Sequence, residues 1–149
     1  MAKFEKVNRI EEDIKLPERS TNYSAGYDFF ALEDQHVLGN IITYVKTGVK
    51  VKLAEDEFLL LANRSSNPGK RELVLMNGVG IIDSDYYGNS DNDGEIAFAF
   101  SSLNPTGSFI KKGDKIGQGI IMKFIKTEND FSSEPRAERV GGFGSTDKK

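Results

Sequence analysis

Seven short apolar runs, at residues 49–53, 57–62, 73–76, 79–82, 96–100, 109–110 and 116–125, follow one another with polar turn residues between them. This rhythm restricts the fold more than any other feature of the chain. Helical spacing is poor throughout. Val49, Val51 and Leu53 alternate with Lys50 and Lys52, and Ile96, Phe98 and Phe100 alternate with Ala97 and Ala99. Such period-2 alternation marks strands with one buried face. Gly113 supplies a turn between the last two runs. Many short strands joined by polar turns predict an all-β sandwich, jelly roll or barrel. A short helix finds room only near residues 64–72, where Pro68 and Gly69 oppose it.

A length of 149 residues fits one domain with a substantial core. The net charge is −3, which weighs against direct nucleic-acid binding. Cysteine is absent and His36 is the one histidine, so disulfides, thiol nucleophiles and multi-histidine metal sites are excluded. His36 lies in a polar stretch and reads as a surface residue. No apolar run approaches the ~20 residues of a membrane span, and the first ten residues lack the apolar core of a signal peptide. The expectation is a cytoplasmic protein whose chemistry rests on carboxylates and hydroxyls.

Two segments stand apart. Residues 83–95 hold five acids and no base, and most of these acids read as a solvated loop. Residues 126–149 carry no strand signal and end in a glycine-rich stretch around Phe143. The expected organisation is a β domain over 1–135 and a flexible C-terminal arm over 136–149. Common site motifs fail. Asp114 stands where a phosphate-binding loop needs lysine, Gly78-Val79-Gly80 lacks the third dinucleotide glycine, and calcium-loop spacing from Asp83 ends on Gly94.

Five short blocks survive in order: Ala25-Gly26-Tyr27-Asp28, Arg64-Ser65-Ser66, residues 77–86, residues 113–118 and residues 139–146. A triphosphate needs cationic and hydroxyl donors, and Arg64, Arg139, Ser65, Ser145, Thr146 and Gln118 are such donors. Asp28 suits a hydrated magnesium ion, because this metal keeps part of its water shell. Asp83 follows an apolar run, and an aspartate there can hold and deprotonate a water for attack on phosphorus. Tyr86 and Phe143 offer flat faces to a sugar and a base.

In this order the blocks resemble the five motifs of the trimeric dUTPase family, over roughly residues 16–147. The resemblance implies a β jelly-roll (β-clip-like) fold, a homotrimer with shared sites, Mg2+ and hydrolysis of dUTP to dUMP and pyrophosphate. Such a reaction controls the dUTP/dTTP ratio and supplies dUMP. It implies that Asp83 activates water for attack on the α-phosphorus, with Arg64 and Gln118 as its catalytic companions and Asp28 supporting the metal through water. It further implies that Asn77, Gly78, Val79 and Ile82 read uracil in a hairpin, and that Tyr86 packs on the deoxyribose and excludes a 2′-hydroxyl. It implies that Arg64, Ser65, Ser66 and Gln118 hold the phosphates. Arg139, Phe143, Gly144, Ser145 and Thr146 belong to the arm, which closes over a neighbouring subunit's site. The sequence departs from the family pattern in several places, among them Asp147 in place of a common final glycine. Glu138 stands where the arm's arginine is usual, leaving Arg139 or Arg136 for the γ-phosphate. Asn63 replaces a frequent proline, and the 87–95 loop is long. Alternatives are a dCTP deaminase-like enzyme of the same fold, or a nucleotide-gated module that binds a regulatory protein partner.

Overall fold

The computed structural model describes residues 1–130, 136–137, 139 and 141–142. The eleven described strands are β1 (Lys3–Lys6), β2 (Tyr27–Phe30), β3 (Gln35–Val37), β4 (Thr43–Lys46), β5 (Val49–Lys52), β6 (Glu57–Ala62), β7 (Leu73–Leu75), β8 (Gly80–Asp83), β9 (Ala97–Ser102), β10 (Ser108–Ile110) and β11 (Lys115–Lys123). All seven expected runs are strands, and β1 to β4 join them. The fold is all-β, as the alternation required.

A four-stranded sheet of order β2-β11-β6-β8 faces a three-stranded sheet of order β4-β9-β7, and every strand pair is antiparallel. Two further pairs, β1-β5 and β10-β3, flank them. The two larger sheets meet through Phe29 on β2 and Phe98 on β9, whose rings lie edge to face at 5.5 Å. Leu59, Leu61 and Ile116 from one sheet and Val45, Leu73, Leu75 and Phe100 from the other complete one contiguous core. Close approach of the sheets depends on small residues in β11. A side chain at Gly117 would run into the Phe98 ring, and one at Gly119 would crowd Phe29 and Leu59.

A bulge in β11 sets the register of the site. Lys115 opposes Phe30 and Gly117 opposes Phe29, so Ile116 is extra. Gln118 thereby lies opposite both Asp28 on β2 and Ala62 on β6. Because side chains alternate, a one-residue slip would turn Gln118 into the core. The bulge thus places Asp28 and Gln118 together on the outer face.

No long helix forms near 64–72. Asn67–Arg71 makes a single wide turn with Pro68 at its start, closed by the Glu72 N–H on the Asn67 carbonyl. Among the described residues, no helix is long and apolar enough to cross a membrane.

Candidate functional site

The expected site residues fall into two groups on the four-stranded sheet. At one end lie Asp28, Arg64, Ser65, Ser66 and Gln118. The Asp28 carboxylate accepts a 2.5 Å bond from the Ser20 hydroxyl. Lys115 Nζ lies 3.4 Å from it and Arg64 Nε 3.9 Å. Gln118 donates from Nε2 to the Asn63 carbonyl at 3.1 Å, and its amide fills the space beside Gly26 that a side chain there would need.

Asn63 organises this end. Its Oδ1 accepts from the Arg64 N–H at 2.9 Å and from Asn67 Nδ2 at 2.7 Å, while its own Nδ2 donates to the Leu73 carbonyl. Proline could make none of these side-chain bonds. The signal was in the sequence as a departure from the family pattern, without an indication of purpose. Ser20 and Lys115, also in contact with Asp28, carried no separate signal.

The second group surrounds the tight turn at Asn77 and Gly78. Gly78 has φ of 72°, and the Val79 N–H reaches the Asn77 carbonyl at 2.8 Å. Strand β8 runs from this turn to Asp83, and the turn Ser84–Tyr86 follows. A cleft of about 260 Å³ is lined here by Asn77, Val79, Gly80, Ile82, Asp83, Tyr86 and Arg139, among others. Asp83 is half exposed. Tyr86 is buried, and burial raises its phenol pKa, so it stays neutral at physiological pH.

Arg139 lies in this cleft rather than at the Asp28 end. Its Nη2 is 2.8 Å from Asp83 and its Nε 2.9 Å from Asp85. Gly142 lies against the Tyr86 ring. Arg136 pairs with Asp130. Phe143, Gly144, Ser145 and Thr146 lie outside the described residues.

The two groups do not meet within one chain. Asp28 and Ala62 flank Gln118, whereas Asp83 opposes Phe58, four residues back along β6. Three strand spacings across and four residues along separate Asp28 from Asp83 by roughly 20 Å. Between these corners the outer sheet face is apolar. It carries Leu60, Ile81, Ile120 and Met122, with Ile81 53% and Met122 43% exposed.

The segment from 83 to 95 only partly matches expectation. Asp83, Asp85 and Asp91 are exposed, but Asp93 and Glu95 are not. Asp93 pairs with the buried Lys50 at 3.0 Å and accepts the Asn8 N–H at 2.7 Å; Glu95 takes Arg9 at 2.6 Å and the Gly48 N–H at 2.9 Å. The cationic partners lie in β5 and after β1, too far along the chain for local composition to reveal. Partial burial pushes the Asp93 carboxyl up, but the Asn8 N–H and Lys50 outweigh it and hold the pKa below the ordinary range. A depressed carboxyl stabilises the fold above its unfolded pKa and loses that contribution as pH falls through its folded pKa. Melting temperature is therefore expected to fall on acidification below about pH 4. Asp93→Asn should show a shallower acid limb in the same titration. Parallel limbs would contradict the assignment.

Among the described residues, no three or more histidines and acids cluster as a metal cage. Asp28 stands as a single carboxylate. One carboxylate plus substrate phosphates is a donor set that suits hydrated magnesium.

A family model for dUTPase matches residues 12–147. A deoxyuridine 5'-triphosphate nucleotidohydrolase from Lactococcus lactis is 41% identical over 144 residues, covering 96% of this chain and 95% of its own. One from Hydrogenobaculum is 31% identical over 148 residues, covering 96% and 97%. The crystal structure of a dUTPase from Streptococcus mutans matches with a TM-score of 0.81 at 37% identity, covering 84% of this chain and 98% of that one. A bulged all-β fold, an aspartate-bearing hairpin cleft and near full-length similarity agree: the chain belongs to the dUTPase family.

Proposed function

We propose that this dUTPase hydrolyses dUTP to dUMP and pyrophosphate through a water that Asp83 activates for attack on the α-phosphorus. The observation that carries the reading is the cleft in which the Asn77–Gly80 hairpin, Asp83 and Tyr86 face one another. Main-chain groups of the hairpin match the uracil edge. Cytosine would leave a buried polar group unpaired there. The Tyr86 ring forms the sugar wall. Asp83 stands on a rigid strand end, is exposed, and can accept the proton of the attacking water.

The phosphates belong at the other corner, with Arg64, Ser65, Ser66 and Gln118. Asp28 would hold magnesium through its water shell. Bound there, the ion would offset phosphate charge in the transition state. Since one chain separates Asp28 from Asp83 by far more than a nucleotide's reacting end can bridge, a second copy supplies the missing corner. The apolar outer face between the corners is the surface the copies bury. This supports a homotrimer with shared sites, closed by a neighbour's arm. On dUTP binding, Arg139 exchanges its two aspartates for the γ-phosphate, which frees Asp83 to act as a base.

Pyrophosphate release from dUTP, dCTP, dTTP and UTP tests the assignment, with mass in solution measured alongside. Turnover confined to dUTP by a trimer is expected. Comparable turnover of all four would refute it, and ammonia release from dCTP would favour a deaminase of the same fold.

A further inference from the structure

The 87–95 loop is folded tightly onto the back of Tyr86. Asn89 N–H bonds the Tyr86 carbonyl at 3.1 Å, and Asp93 N–H bonds the Asn89 carbonyl at 2.7 Å. Asp93 and Gly94 take positive φ, 61° and 80°, to close the turn. Ion pairs of Asp93 with Lys50 and of Glu95 with Arg9 fasten the loop to the body.

The Tyr86 hydroxyl ends in this loop. It donates to the Glu95 carbonyl at 3.2 Å and accepts from Asn92 Nδ2 at 2.6 Å. The orientation of Asn92 is itself determined. Its Oδ1 accepts the Gly94 N–H at 3.0 Å, so its amide nitrogen must face the phenol. The hydroxyl is the far end of the ring from the backbone. Holding it stops the ring from tilting, and the other tether is the longer of the two.

We infer that Asn92 is a specificity-determining positioning residue: by holding the Tyr86 hydroxyl it keeps the ring a stiff wall against a 2′-hydroxyl. The inference rests on the proposed sugar-facing role of Tyr86. A wall excludes one extra oxygen only while it resists small displacement. Both bonds of the hydroxyl end in this loop, so the loop restrains the tip of the ring.

The test compares kcat/KM for dUTP and UTP in the wild-type chain, Asn92→Ala, Asn92→Asp and Glu5→Ala. Asn92→Ala should lower the dUTP-to-UTP ratio about five- to tenfold, the worth of one net hydrogen bond. The fall should come from faster turnover of UTP. General loosening of the fold would slow both nucleotides together. Asn92→Asp keeps the bond from Gly94 but offers no N–H, and the phenol's one proton must leave the Glu95 carbonyl to reach the new carboxylate, so the ratio should fall by no more than in Asn92→Ala. Glu5→Ala removes the 2.5 Å bond from the Tyr87 hydroxyl at the far side of the loop and should leave the ratio unchanged. An unchanged ratio in Asn92→Ala, or an equal fall in all three variants, overturns the inference. If the wild-type chain itself shows no preference for dUTP over UTP, the reading of Tyr86 fails first and takes this inference with it.

Discussion

Asp83→Asn is expected to lower kcat for dUTP by about 100-fold or more while changing KM little. A positioned acid–base group contributes about 10²–10⁴ in rate, and asparagine cannot take a proton from water at neutral pH. A 100-fold loss corresponds to about 2.7 kcal/mol of barrier. The substitution should spare the fold, because β8 is held by backbone pairing with β6 and the Asp83 side chain is half exposed. Asparagine also weakens the pair with Arg139, which lies 2.8 Å from the carboxylate. Loss of that pair would ease departure of the arm and act against any rise in KM. Steady-state kinetics with dUTP at saturating magnesium, on protein whose melting temperature is verified, makes the measurement. A kcat within threefold of wild type would remove Asp83 from the role of base.

How far the sequence anticipated this site depended on the range of the interactions. Strands β5 and β9 were legible because alternation is local, β6 and β8 because each is a continuous apolar run, and Asp83 was legible because it follows such a run. Strands β1, β3 and β4 carry shorter or more polar segments, whose pairing depends on distant partners. The bulge at Ile116, which aligns Gln118 with Asp28, leaves no mark in a pattern of single-residue alternation. The 87–95 loop shows the same limit. The five acids of residues 83–95, without a base, read locally as a solvated stretch, yet two of them meet Lys50 and Arg9, which lie 43 and 86 residues away in sequence. Asn63 was noticed only as a substitution, and its worth lies in three side-chain bonds that tertiary structure creates. The separation of Asp28 from Asp83 was likewise hidden, although it gives the strongest physical reason for a multi-chain site.

Removing residues 139–149 is expected to lower kcat/KM for dUTP by about 100-fold, comparable to losing a preorganised electrostatic contact in a closing site. The deletion takes away Arg139 together with Phe143, Ser145 and Thr146, and so the proposed γ-phosphate grip and the cover over the base. It leaves both large sheets and the core intact, so mass in solution and melting temperature should hold. Arg139 lies 2.8 Å from its own Asp83, whereas the proposed closure is over a neighbour's site, and co-expression separates the two. When chains lacking 139–149 are combined with full-length Asp83→Asn chains, a site is competent only if one chain lends its aspartate and another its arm. Random mixing within a trimer then restores roughly a quarter of the wild-type sites, half for each contribution. Recovery near that level from two nearly inactive parents demonstrates an arm acting between subunits. Absence of recovery in verified mixed trimers would assign the arm to its own chain, where Arg139 already meets Asp83. Full activity of the truncated chain alone would deprive the arm of any part in the reaction.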